Sequence, residues 1–208
     1  MIGILGGTFD PVHFGHLRIA LEIFQKLALA EVRFLPCCLP PHRSAPQAAP
    51  QDRLAMLQLA IEGQAGFCID QRELQRSGFS YMVDTLQSLR AELPTRSLCL
   101  MMGMDAFVGL DSWDRWEQLV TLTHLVIACR PGAEESPHPA VAALLAERQV
   151  SEPAVLRQHI AGRIWLQPVS QLEISASGIR EMVREAKSPR YLLPDRVWEY
   201  LSVNKLYQ

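Results

Sequence analysis

"IGILGGTFDPVHFGHLRIALEIFQ" spans residues 2–25. Its first four residues are apolar and short enough for a buried strand. Gly6 and Gly7 then permit positive φ and a close approach of the backbone to a ligand. From Gly15 onward the period changes: Leu17, Ala20, Leu21 and Phe24 recur at spacings of three and four, as on one face of a helix. The stretch therefore reads strand, glycine turn, helix. His13 sits just before that helix and His16 in its first turn, with Gly15 between them.

The same alternation continues along the chain. Apolar runs predict strands at 32–36, 67–70, 98–103, 125–130 and 163–168. Helical periodicity covers 52–63, with Leu54, Leu57 and Ile61 on one face, and also 81–93 and 116–122. Two more helices follow at 177–186 and 194–203, with Pro194 suited to a first helical position. Residues 130–140 are rich in turn formers, and 149–162 read as an irregular surface excursion. Apolar strands alternating with helices imply a parallel sheet covered on both faces. The expected fold is α/β, a Rossmann-like doubly wound parallel sheet with a small C-terminal helical subdomain. A length of 208 residues fits one domain, with a Rossmann-like core over 1–180 and a helical part over 181–208.

Composition removes several functions. A formal net charge of −2 offers no basic balance for nucleic acid, and the chain has no acidic tail. Five cysteines at positions 37, 38, 68, 99 and 129 form no C-x-x-C pair, which suggests reduced thiols in a cytoplasmic protein. The N-terminus lacks the basic leader and long apolar core of a signal peptide, and no apolar run is long enough to span a bilayer.

In an open parallel sheet, ligands bind where strands end at their carboxyl edge. The Gly6–Gly7 turn and the following helix start would aim backbone N–H groups and a positive dipole end at that space, as a phosphate site requires. No Walker A loop and no G-x-G-x-x-G fingerprint is present. Two imidazoles three residues apart can instead donate to phosphate oxygens. A structural role for both rings is the competing reading. Zinc is disfavoured, because no Cys, Glu or third His lies nearby. "ISASGIR" (174–180) repeats the theme after the last strand: Ser175 and Ser177 suit N-cap or phosphate-donor roles, with Arg180 in the first turn of the next helix. Asp105, just past the strand at 98–103, could accept from ribose hydroxyls or cap the following helix.

"GGTFDPVHFGH" (6–16) resembles the opening motif of the H-x-G-H nucleotidylyltransferases. Within them the chain resembles the bacterial nicotinate-mononucleotide adenylyltransferases, through "LPPHR" (39–43), "SYMVDTL" (80–86), "GMD" (103–105), "WDRW" (113–116), "CRPG" (129–132), "ISASGIR" and "LLPDRVWEYL" (192–201). The resemblance implies that ATP and nicotinate mononucleotide combine to give nicotinate adenine dinucleotide and pyrophosphate, in NAD biosynthesis. It implies His16, His13 and Arg180 as catalytic residues. It assigns ATP to Gly7, Thr8, Phe9, His16, Gly103, Asp105, Arg130, Ser177 and Arg180. It assigns the mononucleotide to His42, Arg43, Tyr81, Met82, Thr85 and Trp113, with Trp113 stacking on the pyridine and Trp116 left to packing. Ala176 stands where the family commonly has Ser, and Met82 where it commonly has Thr. Mg²⁺ would arrive with ATP, held by phosphates and water, with no protein metal ligand. Neither nucleic acid nor a membrane is an expected partner, and a homo-oligomer is compatible with the motifs. The rival readings are an adenylyltransferase acting on nicotinamide mononucleotide or phosphopantetheine, and a non-catalytic nucleotide sensor.

Overall fold

The computed structural model describes residues 1–41, 45–130, 137–170 and 172–208. Six strands form one parallel sheet: β1 (Ile2–Gly7), β2 (Glu31–Pro36), β3 (Phe67–Ile69), β4 (Leu98–Gly103), β5 (His124–Cys129) and β6 (Ile164–Pro168). Their order across the sheet is β3-β2-β1-β4-β5-β6, so the chain reverses direction of build between β1 and β4. That is the doubly wound order, and the crevice at the reversal is where such sheets bind ligands.

Strand side chains alternate between two cores. Ile2, Ile4, Leu98, Leu100, Met102, Leu125 and Ile127 enter one, while Leu5, Cys99, Met101, Val126 and Ala128 enter the other. Because both faces are covered, both alternating sets must be apolar, which explains the continuous apolar runs. The first face carries α3 (Met82–Glu92), α4 (Met104–Val108), α5 (Leu119–Leu122) and α6 (Pro139–Arg148). The second carries α1 (Phe14–Lys26), α2 (Pro50–Ile61), α7 (Ala176–Arg184) and α8 (Asp195–Val203). Among the described residues, no helix is long and apolar enough to cross a membrane.

Several sequence expectations shift in detail. The first helix ends at Lys26, because Ala28 turns to φ 42° and sends Leu27 and Leu29 into the core. The buried face of α2 is Arg53, Met56, Leu57 and Ile61, with Leu54 only partly covered. Helix α6 occupies sequence left unassigned; Val141 is its one fully buried residue, so its periodic signal is weak. Residues 149–162 are not a free excursion. Leu156 is buried there, Arg157 donates to the carbonyls of Leu27 and Ala28, and the Ile160 carbonyl accepts from the Leu98 amide. Pro194 is the N-cap of α8, one position earlier than expected. Helix α7 runs through position 180, and α8 packs its Val197 into the core shared with the sheet.

Candidate active site

The β1–α1 connection supplies the first half of the site. Phe9 adopts φ 48° and is fully buried, its ring edge-on to His16 at 5.2 Å. This leaves Gly6, Gly7 and Thr8 as the half-covered rim of the crevice. His13 is the N-cap of α1 in extended conformation, and His16 is the third helical residue. The His13 amide donates to His16 Nδ1 at 3.3 Å. A neutral His16 that accepts at Nδ1 carries its proton on Nε2, so the donor is on the far side of the ring. The two rings stack with centroids 3.8 Å apart.

His13 lies deeper, at 5% exposure, and burial pulls its pKa down to about 4. It is therefore neutral at pH 7, and its Nδ1 is buried without a hydrogen-bond partner. Gly15 makes this possible. A Cβ there would stand 2.9 Å from the His13 ring and 3.5 Å from the Ile174 carbonyl. The bare backbone thus lets the ring lie flat and lets the segment before α7 close against it.

That segment is the second half. Ser175 caps α7, its Oγ accepting from the Gly178 amide at 3.1 Å and from the Ser177 hydroxyl at 3.2 Å. Arg180, the fifth residue of α7 rather than part of its first turn, donates to the Asp10 carbonyl at 2.6 Å. Its Nε is buried with no partner.

The expected mononucleotide side begins at the start of α3, where Tyr81 is the N-cap. The Met82 methyl would meet a Cβ on Gly6 at 2.6 Å, so α3 rests on the glycine turn itself. Thr85 departs from its expected role as a ligand-facing hydroxyl. It is fully buried, donating to Glu73 at 2.7 Å and accepting from Arg76 at 2.7 Å. Trp113 and Trp116 are both partly buried against the α3 side of the sheet. Gly103 is the N-cap of α4, and Asp105 sits exposed in the first turn, so Asp105 is not the cap. Arg130 is exposed at the end of β5, 3.9 Å from Glu173. His42 and Arg43 lie outside the described residues. Among the described residues no three His, Cys, Asp or Glu side chains gather as metal ligands. A hollow of about 500 Å³ bordered by Glu31, Arg33, Asp70, Arg72 and Glu92 shares none of the crevice residues, and its arginines are already paired with its carboxylates.

The cytidylyltransferase-like family model matches residues 4–196, nearly the whole chain. The chain belongs to the cytidylyltransferase-like family. It is 49% identical over 213 residues to the probable nicotinate-nucleotide adenylyltransferase of Methylococcus capsulatus, covering 100% of this chain and 99% of the relative. It is 47% identical over 207 residues to the protein of the same description from Aeromonas hydrophila, covering 100% and 97%. Among solved structures it resembles the Plasmodium falciparum nicotinic acid mononucleotide adenylyltransferase complexed with NaAD, with a TM-score of 0.75, 18% identity, and coverage of 99% of this chain and 96% of that one. At that identity the likeness establishes the shared fold.

In this cytidylyltransferase-like chain, the supports of the crevice are residues that sequence reasoning left without a role. Arg53 is fully buried and donates to the carbonyls of Thr8 (2.7 Å), Cys37 (2.8 Å), Cys38 (3.4 Å) and Ala48 (3.3 Å). One guanidinium thereby ties the ends of β1 and β2 to the start of α2. The available signal was its spacing: Arg53 stands three and four residues before Met56 and Leu57, on the buried stripe. Asp10, at 3% exposure, accepts from the amides of Gln47 (2.7 Å) and Ala48 (3.1 Å) and from the Tyr207 hydroxyl (2.6 Å). Glu73 is buried beneath α3, and desolvation pushes its carboxyl up from the ordinary range. Beside it, Ser80 accepts from the Cys38 amide at 3.0 Å. These contacts fix the start of α3 against the loop leaving β2.

Proposed function

We propose that this chain transfers the adenylyl group of ATP to nicotinate mononucleotide, releasing pyrophosphate and forming nicotinate adenine dinucleotide in NAD biosynthesis. One observation carries the reading. Two motifs rich in phosphate donors, separated by most of the chain, meet at the reversal of the sheet, with Arg180 on the Asp10 carbonyl and Ile174 against Gly15. The names of the full-length relatives point to the same reaction.

The mononucleotide's own 5′-phosphate is the nucleophile. Its oxygen bonds to the α-phosphorus in line, the bond from that phosphorus to the bridging oxygen breaks, and pyrophosphate leaves with the electron pair. The protein needs no nucleophile; it must bring two anions together and stabilise the charge that develops. In this proposal His16 donates through Nε2 to an α-phosphate oxygen, and neutral His13 backs it by stacking. Gly7, Thr8 and Phe9 add amide donors. Ser177 and the Arg180 guanidinium meet the outer phosphates. Gly103 and Asp105 hold the ribose, with Arg130 toward the nucleotide. Magnesium belongs to the nucleotide substrate, carried by its phosphates and water.

On the acceptor side, His42 and Arg43 take the mononucleotide phosphate, and Trp113 takes the pyridine face. The buried Thr85 hydroxyl shifts recognition of the pyridine carboxylate onto the amides at the start of α3, flanked by Tyr81 and Met82; a helix N-terminus favours an anion over an amide. A cytoplasmic setting suits the thiol state of Cys37, Cys38, Cys68 and Cys99.

The deciding experiment measures pyrophosphate release from ATP with nicotinate mononucleotide, nicotinamide mononucleotide and phosphopantetheine in parallel. Fastest turnover of the acid mononucleotide is expected. Faster turnover of either other acceptor would replace the substrate assignment, and release with none would turn the reading into a sensor.

A further inference from the structure

Tyr207 stands 197 residues from Asp10 in sequence, yet its hydroxyl donates to Asp10 Oδ1 at 2.6 Å. The approach is specific. Lys205 and Tyr207 both adopt left-handed backbone, with φ 53° and 66°. Non-glycine residues occupy that region at a cost and stay there only where their surroundings hold them. The Tyr207 ring packs against the α1–α2 side of the sheet, and its hydroxyl reaches the carboxylate at the centre of the site's support.

Around Asp10 the donors are fully distributed. Oδ2 accepts from the Gln47 amide, and Oδ1 accepts from the Ala48 amide and from Tyr207. Arg180 is not among the carboxylate's close partners. Its NH1 donates to the Asp10 backbone carbonyl, and it stands 3.8 Å from Oδ2. A buried carboxylate that lacks a donor pulls on the nearest cation. Here that cation is Arg180, a partly exposed side chain whose buried Nε has no partner of its own.

We propose that Tyr207 is a positioning residue of the triphosphate site: by completing the Asp10 carboxylate, it keeps the Arg180 guanidinium on the Asp10 carbonyl and out of a tighter ion pair. Burial and the neighbouring Asp10 charge push the phenol's pKa far up, so it remains a neutral donor across the working pH range. This inference rests on the proposal that the crevice binds ATP.

The test compares wild type with Tyr207→Phe by steady-state kinetics and by calorimetric titration with ATP alone. The variant keeps the packed ring and loses only the donor. Both the ATP KM and the ATP Kd should rise ~3–10-fold, the scale of one ordinary hydrogen bond, because Tyr207 acts through Asp10 and not on the ligand itself, with the mononucleotide KM within about twofold. In an Arg180→Lys background the same change should add less than about twofold, because the guanidinium it positions is gone. An unchanged ATP Kd, whatever the melting temperature does, would overturn the role, as would equal effects in both backgrounds. Should wild type bind ATP but release no pyrophosphate with the mononucleotide, the reaction assignment fails while the calorimetric comparison still decides Tyr207. Absence of ATP binding by wild type would overturn both.

Discussion

The imidazoles of His13 and His16 stack 3.8 Å apart, and the amide of the first donates to Nδ1 of the second. The pair is asymmetric. His13 is buried and neutral, held over Gly15, while His16 is half-exposed with its Nδ1 occupied and its proton directed to Nε2. In the proposed reaction the buried ring orients and the outer ring donates. Each consequence can be measured.

His16→Ala should lower kcat by ~10²–10³-fold, the effect of deleting one transition-state donor, with a small change in melting temperature. Turnover near wild type in that variant would remove His16 from the chemistry.

His13 makes stability depend on acid. Its pKa is about 4 in the folded chain against 6.5 when unfolded, so below pH 6.5 the unfolded state binds the extra proton. Its contribution is therefore complete above about pH 6.5 and declines as pH falls toward 4, by on the order of 3 kcal/mol. Buried His124 is shifted in the same direction, chiefly by desolvation. Urea unfolding of wild type and His13→Gln at pH 7.5, 5.5 and 4.5 should give a shallower pH slope for the variant. Parallel slopes would mean that His13 titrates normally.

Arg53→Met keeps the volume of the side chain but leaves the carbonyls of Thr8, Cys37, Cys38 and Ala48 without their donor. Buried acceptors left unmade are costly, and a loss of at least ~3 kcal/mol is expected in denaturant unfolding. A loss under ~1 kcal/mol would show that water replaces the guanidinium.

Trp113→Ala should raise the mononucleotide KM more than it changes kcat or the ATP KM. Because Trp113 also packs against the α3 side of the sheet, some loss of melting temperature should accompany it. A clear loss of stability with an unchanged mononucleotide KM would assign the ring to packing alone.

Thr85→Val removes the hydroxyl that donates to buried Glu73 and accepts from Arg76. It should destabilise the chain by ~1–3 kcal/mol while leaving the ratio of turnover on acid and amide mononucleotides within about twofold. A collapse of that ratio at unchanged stability would return the hydroxyl to the ligand.

The strands were legible because a parallel sheet buried on both faces demands unbroken apolar runs, and residues 2–5 and 98–103 obey that demand, while 32–36 are interrupted only by Arg33. The His13 N-cap and the His16 first-turn position followed from the change of period after Gly15. Helix α6 was missed because it buries little, so its sequence shows little periodicity. Thr85 was misread because a hydroxyl looks alike whether a ligand or a buried carboxylate takes its bond.

By itself the sequence determined the strand–helix alternation and the two donor-rich turns, since both are written in local spacing over a few residues. Tertiary structure alone decided how those turns are held. Arg53 is satisfied by backbone carbonyls, which every residue possesses and none advertises, and Asp10 by a hydroxyl 197 positions away. Partners of that kind come into being only when the sheet closes and brings distant main chain and side chains within bonding distance.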